Sequence, residues 1–465
     1  MYSPLQTRRG RLSTLFFLYM TEGIPLGFAA TAVATEMRRR GLGPEAIGGF
    51  IAALYLPWAW KWAIGPVVDV ISSDRWGRRR AWILGAQLAM VATLLAAMTV
   101  DVATQLGVFT TLILIHNVFG ATQDVAIDAL ACHVLPEDER GVANGLMFGG
   151  AYLGQTIGGA GVLLARDYLN TRIGTLPAWQ ASFVLVSLVI LMISALVVWP
   201  MKEPAYPPRP SIVGSAIVHI AKEIKVFLVG TWRAFTGSRA ASAGVLYALL
   251  PAGAMALSMS IGSNLTVELG FSDGEIAKLN LWGTVIAALC CVIGGYISDR
   301  LGRRRMLAFY LLATTVPTLW LAWQLYGHGW LMPVALDAAN RPAVPAELQT
   351  ALWIASLAFA IPQGLMYGTR TALFMDVTSP AVAATQFTAY MALMNVTISY
   401  TAKWQGWAAE RWGYPATMAV DCAVALIGLP LLLWMVKPAA AELQAPLADG
   451  DASRLENQPL HSPEG

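Results

Sequence analysis

The sequence predicts an all-α membrane protein of twelve transmembrane helices arranged as two six-helix pseudo-repeats. Three observations carry that expectation. Hydrophobic residues make up 56% of the 465 and charged residues only 13%, with a mean hydropathy of +0.56, whereas an ordinary soluble domain is about 25% charged. Apolar windows of about 20 residues, the length that crosses about 30 Å of hydrocarbon, recur along the whole chain. An arginine-rich loop occurs once in each half.

In chain order, the first six windows fall at 12–34, 46–68, 81–100, 106–132, 140–165 and 180–200, giving an N-terminal half over 1–200. A cytoplasmic linker is expected over 201–241, proline-rich at its start (MKEPAYPPR) and basic and partly amphipathic after that. Six more windows, at 242–266, 275–297, 306–326, 349–376, 381–402 and 414–436, make the C-terminal half, 242–436. The polar tail 437–465 has too little apolar content to fold by itself and is expected to be disordered. The basic residues 1–11 precede an apolar run without a small-residue cleavage pattern, which reads as a retained first helix and not a removed signal.

An even number of spans puts both termini on one side. Counting Arg140 and Lys278, at the ends of their windows, with the adjoining gaps, Lys and Arg number 20 on that side and 9 on the other, with Lys61 and Arg370 deeper inside spans, which accounts for all 31. Positive charge marks the cytoplasmic side, so the termini are expected there, in the bacterial inner membrane. The run Arg38, Arg39, Arg40 falls on the opposite side and breaks the rule.

A net charge of +3, with the cations gathered in short gaps, excludes a nucleic-acid role. The four cysteines lie in or beside apolar windows without paired spacing, so neither a disulfide framework nor a metal site is expected, and no cofactor is. A membrane enzyme would need a clustered acid–base or metal site, and His-x-x-x-His spacing is absent from the sequence. No G-x-x-x-x-G-K-[ST] loop is present to hold a nucleotide, leaving an ion gradient as the energy source for any transport.

The repeated loops read ISSDRWGRRR at 71–80 and ISDRLGRRR at 297–305. A second repeat aligns GATQDVAID (120–128) with GTRTALFMD (368–376), superposing Asp128 on Asp376. Internal repeats of this kind build many secondary transporters. Gly295, Asp299, Arg300, Gly302 and Arg303 resemble the signature loop of the major facilitator superfamily, as do Gly65, Asp69, Asp74, Arg75, Gly77 and Arg78 in the first half. There the loop is longer, and whether Asp69 or Asp74 is the equivalent acid stays open. The resemblance implies the major facilitator fold and a cytoplasmic gate made by these residues, with Asp128 and Asp376 as partners of the arginines. An Asp at a helix end that holds an Arg can latch such a gate; arginines that only anchor the topology are the alternative.

Within the superfamily, LPWAWKWAIGPVVD (56–69), ATQDVAIDA (121–129), AATQF (383–387) and GIPLGF (23–28) resemble the branch holding the AmpG-type muropeptide permeases and the acetyl-coenzyme A transporters, the last motif also resembling siderophore importers. The resemblance implies import of an amphiphilic solute such as a muropeptide-like glycopeptide or a siderophore.

Ionisable groups inside a membrane cost roughly 2.5–3.5 kcal/mol on insertion scales and mark function. Glu22 is about 15 Å from its helix end, and Lys61 and Asp124 about 12 Å from theirs, so the three share one layer. They are expected to line the substrate cavity and couple protons: a carboxylate in apolar surroundings holds a proton that an approaching Lys61 releases. Asp124 is the first choice of coupling residue. A static Glu22–Lys61 pair, with Asp124 bonded to backbone or Gln123, is the alternative. Arg370 can hold a substrate carboxylate or phosphate bidentately, or snorkel to the interface. Trp58 and Trp62, four residues apart, share one helix face and can stack on a sugar or acyl group, or simply pack between helices. His116 is read as a packing residue or a relay member. Glycines spaced every four residues through the fifth window allow close helix approach.

The sequence thus points to a proton-coupled symporter that exchanges with a small-molecule solute and protons in the bilayer, monomeric and without nucleic acid. An efflux antiporter, for which GQTIGG (154–159) is the cue, and a non-transporting membrane sensor remain the other readings.

Overall fold

The computed structural model describes residues 4–71, 75–136, 139–204, 216–338, 341–378 and 383–436. Asp74 and the tail 437–465 lie outside the described residues, as does the proline-rich start of the linker from 205 onward. All the regular structure among the described residues is helical.

Among the described residues eight helices are long and apolar enough to cross a membrane: α1 (Arg8–Arg39), α4 (Arg80–Met98), α5 (Leu106–Val134), α8 (Thr175–Val198), α12 (Asp273–Leu301), α13 (Arg303–Gly327), α14 (Ala346–Asp376) and α16 (Tyr414–Leu433). The other four expected windows are helical but interrupted or more polar. The second is split into α2 (Pro44–Ala59) and α3 (Lys61–Val70). Pro57 cannot donate, and the Trp60 N–H turns tightly back to the Pro57 carbonyl. The fifth is α6 (Arg140–Thr156) and α7 (Val162–Ile173), joined by a π-helical turn at Ile157–Gly161. The seventh breaks into α10 (Arg239–Ala248) and α11 (Ser260–Glu268), around Pro251 and Gly253, whose φ of +73° suits only glycine. The eleventh is α15 (Ala383–Trp412), continuous but carrying Lys403, Gln405 and Glu410. The expected twelve apolar spans are therefore eight by length and hydropathy. In the expected linker, α9 (Ala216–Thr236) exposes Ile217 and Trp232.

Glycines set the tightest packing. A Cβ on Gly150, Gly154 or Gly158 of the α6 segment would stand 2.2, 2.5 or 1.8 Å from backbone carbonyls of α1, so α1 and this segment touch backbone to backbone. Gly294 of α12 and Gly364 of α14 repeat the arrangement at 2.3 Å each. Gly145 and Gly149 face open space, so only part of the glycine run serves this contact. Elsewhere the helices lock through large buried rings: Phe28 of α1 packs edge-on to Phe183 of α8, which also meets Trp179 and Phe109.

His116 on α5 takes a packing place, with Nδ1 3.0 Å from the Met90 carbonyl and 3.3 Å from the Thr93 hydroxyl.

Candidate transport cavity and the charges around it

Residues from both halves of the chain surround a cavity of about 390 Å³. The first half contributes Thr31, Thr35, Tyr55, Tyr152 and Gln155; the second contributes the wall formed by α11, α12 and α14, including Asn280, Cys291, Gln363 and Tyr367. Not one lining residue is charged. Hydroxyls, carboxamides and aromatic rings can bind hydroxyl- and amide-bearing solutes through neutral hydrogen bonds and stacking. The expected cavity residues Glu22, Lys61, Asp124, Gln123, Trp58, Trp62 and Arg370 are not among those lining it.

Most of those residues gather instead beside it, between α1, α2, α3 and α5. Lys61 Nζ lies 3.0 Å from Asp124 Oδ2 and 3.5 Å from Asp128 Oδ2. Asp128 also accepts from the Tyr19 hydroxyl. Glu22 Oε1 accepts from Trp58 Nε1 at 3.2 Å, and its Oε2 is buried without a partner. Gln123 donates to Thr21 Oγ1 at 3.0 Å. One lysine thus faces two carboxylates, with a third carboxylate, Glu22, one turn from Tyr19 on α1. Among the described residues no Glu22–Lys61 ion pair forms within 4 Å. Asp128 joins this cluster and not the arginine loop, whose Arg79 pairs with Asp69 instead. The break at Trp60 puts Trp58 and Trp62 on different helices: Trp58 donates to Glu22, while the Trp62 ring lies tilted against that of Trp60, with ring centres 5.8 Å apart. Arg370 stands apart in α14, its guanidinium carbon 5.5 Å from the ring of the cavity residue Tyr367 and its Nε buried without a partner.

The two arginine loops share a local logic. Gly77 and Gly302 have φ of +90° and +97°, which explains the glycine of the repeated motif: the chain must reverse there before the next helix starts. In the first loop Arg79 pairs with Asp69 and donates to the Val68 carbonyl at 3.2 Å. The Glu203 carboxylate takes the backbone N–H groups of Arg79 and Arg80, capping α4 from the far side of α8. In the second loop Arg303 bridges Asp299 at 2.8 Å and Asp376 at 2.7 Å, and Arg300 stacks on Tyr296 at 4.1 Å. Arg75 is exposed. Among the described residues, the ion pairs at this end each stay within one half.

The opposite end is different, and its chemistry was missed by sequence reasoning. Arg38, 2% exposed, pairs with Glu268, which is fully buried; Glu268 also accepts from the Tyr414 hydroxyl, from Trp330 Nε1 at 3.2 Å and from the Val334 N–H at 3.3 Å. Arg39 meets Asp273 at 2.7 Å, and Arg166 pairs with Glu36 while lying 3.9 Å from Asp273. Arg40 bridges Glu36 and Asp101, and Arg40 and Arg166 both approach the Trp179 ring. Arg38 and Arg39 on α1 and Arg166 on α7 therefore clasp α11 and α12 across the halves. The sequence signal was the run of arginines that broke the positive-inside rule: Arg38 is buried, Arg39 and Arg40 are half-buried, and each is paired with a carboxylate. At this end of the cavity the two halves are joined by ion pairs, of which Arg38–Glu268 is wholly buried.

A family model for the Major Facilitator Superfamily matches residues 12–402, and the chain belongs to that superfamily. It is a multi-pass membrane protein whose relatives are transporters and not enzymes. Over 432 residues it is 25% identical to the anhydromuropeptide permease of Escherichia coli K12, covering 91% of this chain and 79% of the relative. It therefore resembles the AmpG-type permeases, as the motifs at 56–69 and 121–129 imply. Among solved structures, the crystal structure of a D-xylose–proton symporter superposes with a TM-score of 0.64 at 13% identity, over 93% of this chain and 98% of that one. A bacterial homologue of the human lysosomal transporter Spinster, inward-facing and occupied, superposes at 0.66 and 13% identity, over 94% and 98%. At such identities these two likenesses speak for the fold alone.

Proposed function

We propose that the protein is a proton-coupled importer of an amphiphilic, muropeptide-like glycopeptide, working by alternating access through twelve spans in two halves (1–200 and 242–436) with both termini cytoplasmic. The observation that carries this reading is the uncharged cavity enclosed by both halves, which are joined at one end by the Arg38–Glu268 and Arg39–Asp273 pairs. That arrangement corresponds to the inward-facing state of an alternating-access carrier, the joined end being the sealed, outer one. Hydroxyl, carboxamide and aromatic groups suit the sugars and peptide amides of a glycopeptide, and the permease relative supports that class.

Glu22, Lys61, Asp124 and Asp128 supply the coupling in this reading. Lys61 satisfies the carboxylates when close, and a proton satisfies them when it withdraws, so movement of α3 against α5 exchanges one for the other. Asp124, the more buried of the two lysine partners, remains the first choice. Asp69–Arg79 and the Asp299–Arg303–Asp376 bridge brace the cytoplasmic ends within each half, with Arg75, Arg78 and Arg300 alongside. Arg370, behind Tyr367, is placed to meet a carboxylate of the solute as it leaves the cavity.

Cys291 lines the cavity and gives a direct test. In a chain whose other cysteines (Cys132, Cys290 and Cys422) are serine, N-ethylmaleimide should alkylate Cys291, and anhydromuropeptide should slow the reaction in a saturable way. Protection by a ferric siderophore or an acyl-coenzyme A but not by anhydromuropeptide would replace the solute class; protection by none of them would remove the cavity as the binding site.

A further inference from the structure

The mechanism above leaves one buried carboxylate unused. Asp421 on α16 is completely inaccessible. Its Oδ2 accepts the backbone N–H groups of Met255 and Ala256 at 2.8 and 3.0 Å, and its Oδ1 accepts Gln405 Nε2 at 2.7 Å. All three partners are neutral, so this carboxylate is not half of an ion pair. Met255 and Ala256 lie in the break between α10 and α11, at the start of a short 3-10 turn, Ala256–Ser258, that Met255 precedes. A helix broken at membrane depth frees backbone groups that must be satisfied from elsewhere, since no water is at hand. Here neighbouring side chains do this. Thr314 of α13 accepts from the Ala254 N–H at 2.9 Å, Thr397 of α15 donates to the Ala248 carbonyl at 2.7 Å, and Tyr400 donates to the Leu249 carbonyl. Asp421 takes two of the freed N–H groups by itself. Directly after them come Leu257, Ser258 and Met259, all three of which line the cavity.

We propose that Asp421 is a positioning residue that shapes one wall of the transport cavity, acting as a hydrogen-bond acceptor for the break between α10 and α11 and not as a proton carrier. It sets where Leu257, Ser258 and Met259 stand, and so which solutes fit. This rests on the cavity being the solute's site, but its test does not: ligand protection of Cys291 probes the site, whereas the experiment below probes only the wall.

Two full-length chains with one cysteine each are compared, one with Ser258→Cys and the other keeping Cys291. The rate of alkylation by N-ethylmaleimide is measured with Asp, Ala or Asn at 421. Asp421→Ala orphans two backbone N–H groups and should change the rate at position 258 by at least about five-fold, the equivalent of one lost hydrogen bond. Cys291, on α12 across the cavity, should stay within about two-fold. Asp421→Asn should restore the original rate at 258. Its amide oxygen still accepts both N–H groups, and Gln405, whose Oε1 has no partner, can turn that oxygen toward the new NH₂. The proposal is overturned if Asn behaves like Ala, if both probes shift together, or if neither shifts. If Asp421→Ala yields no folded protein, the Asn chain decides alone: an unchanged rate at 258 supports the proposal and a shifted one overturns it.

Discussion

Glu268→Gln is the sharpest perturbation of the sealed end. Glu268 receives Arg38, the Tyr414 hydroxyl, Trp330 Nε1 and the Val334 N–H, and both charges are almost wholly buried. Glutamine keeps the volume but removes the charge. Its one amide oxygen can still face Arg38, yet its NH₂ then meets the Trp330 and Val334 N–H donors. Arg38 is left without a counter-ion, held only by neutral oxygens that include the carbonyls of Val334 at 2.7 Å and Leu42 at 3.1 Å. Removing one partner of a buried pair costs about 3–5 kcal/mol. That cost falls on the sealed state, because opening the outer end wets Arg38 and relieves it. The balance should therefore move toward the outward-open state by about two to three and a half powers of ten. The assay is alkylation of Cys291 in right-side-out vesicles by a membrane-impermeant maleimide, which should be slow in the parent chain and fast in Glu268→Gln. Adding Arg38→Met should return much of the protection, since an apolar pair can replace a buried ionic one with little loss. If Glu268→Gln folds and Cys291 stays shielded from outside, the ion pairs do not hold the outer end closed.

Three further outcomes follow from the same structure. Asp124→Asn should bind anhydromuropeptide, read as protection of Cys291, yet lose solute-dependent proton uptake; intact uptake would take Asp124 out of the coupling. Gly158→Val should lower the melting temperature in detergent, because its side chain would meet the Ile24 carbonyl and overpacking costs roughly 1–3 kcal/mol or more, whereas Gly149→Val, facing open space, should not; equal effects would refute the close-contact account. Asp101, in the loop before α5, is held below its ordinary pKa first by the Thr104 backbone N–H, then by the Thr104 hydroxyl, and further by Arg40 and the Ala103 N–H. A lowered carboxylate contributes above its unfolded pKa of about 3.9 and loses that contribution only as pH falls through the still lower folded value. Outer-face shielding of Cys291 should thus be the same at pH 5 as at pH 7, and because this pair is exposed Asp101→Ala should cost under about 1 kcal/mol.

Much of the architecture was legible because hydropathy and loop repeats are local signals. The duplicated arginine loops were visible as a repeat; that a glycine at positive φ turns the chain in each, beside an Asp–Arg pair, is what the structure adds. Four windows lost their continuity or apolar character where local chemistry overrode the window average: Pro57, Pro251 with Gly253, the π turn at Ile157–Gly161, and the polar residues of α15. The charged layer was visible as Lys61 and Asp124, and the structure brings these two together. Asp128 was assigned to the arginines because its height in the helix says nothing about which way it points, and rotation about the axis put it against Tyr19 and Lys61. The cavity's own lining was not legible. Tyr55, Tyr152, Gln155 and Tyr367 look like ordinary residues of polar-spotted helices until two halves enclose them. The clasp across the halves lay in plain sight as an anomaly, since Arg38, Arg39 and Arg40 contradicted the topology rule, but the partners of Arg38 and Arg39 are more than two hundred residues away in Glu268 and Asp273.

The central claim, proton-coupled import of a glycopeptide through this cavity, is tested most directly by uptake of radiolabelled anhydromuropeptide into proteoliposomes under an imposed pH gradient, acidic outside. Accumulation above the equilibrium level that collapses with a protonophore, and that falls to simple equilibration in Asp124→Asn, is the predicted result. Uptake that never exceeds equilibrium whatever the gradient, or accumulation only when the gradient is reversed, would contradict the account.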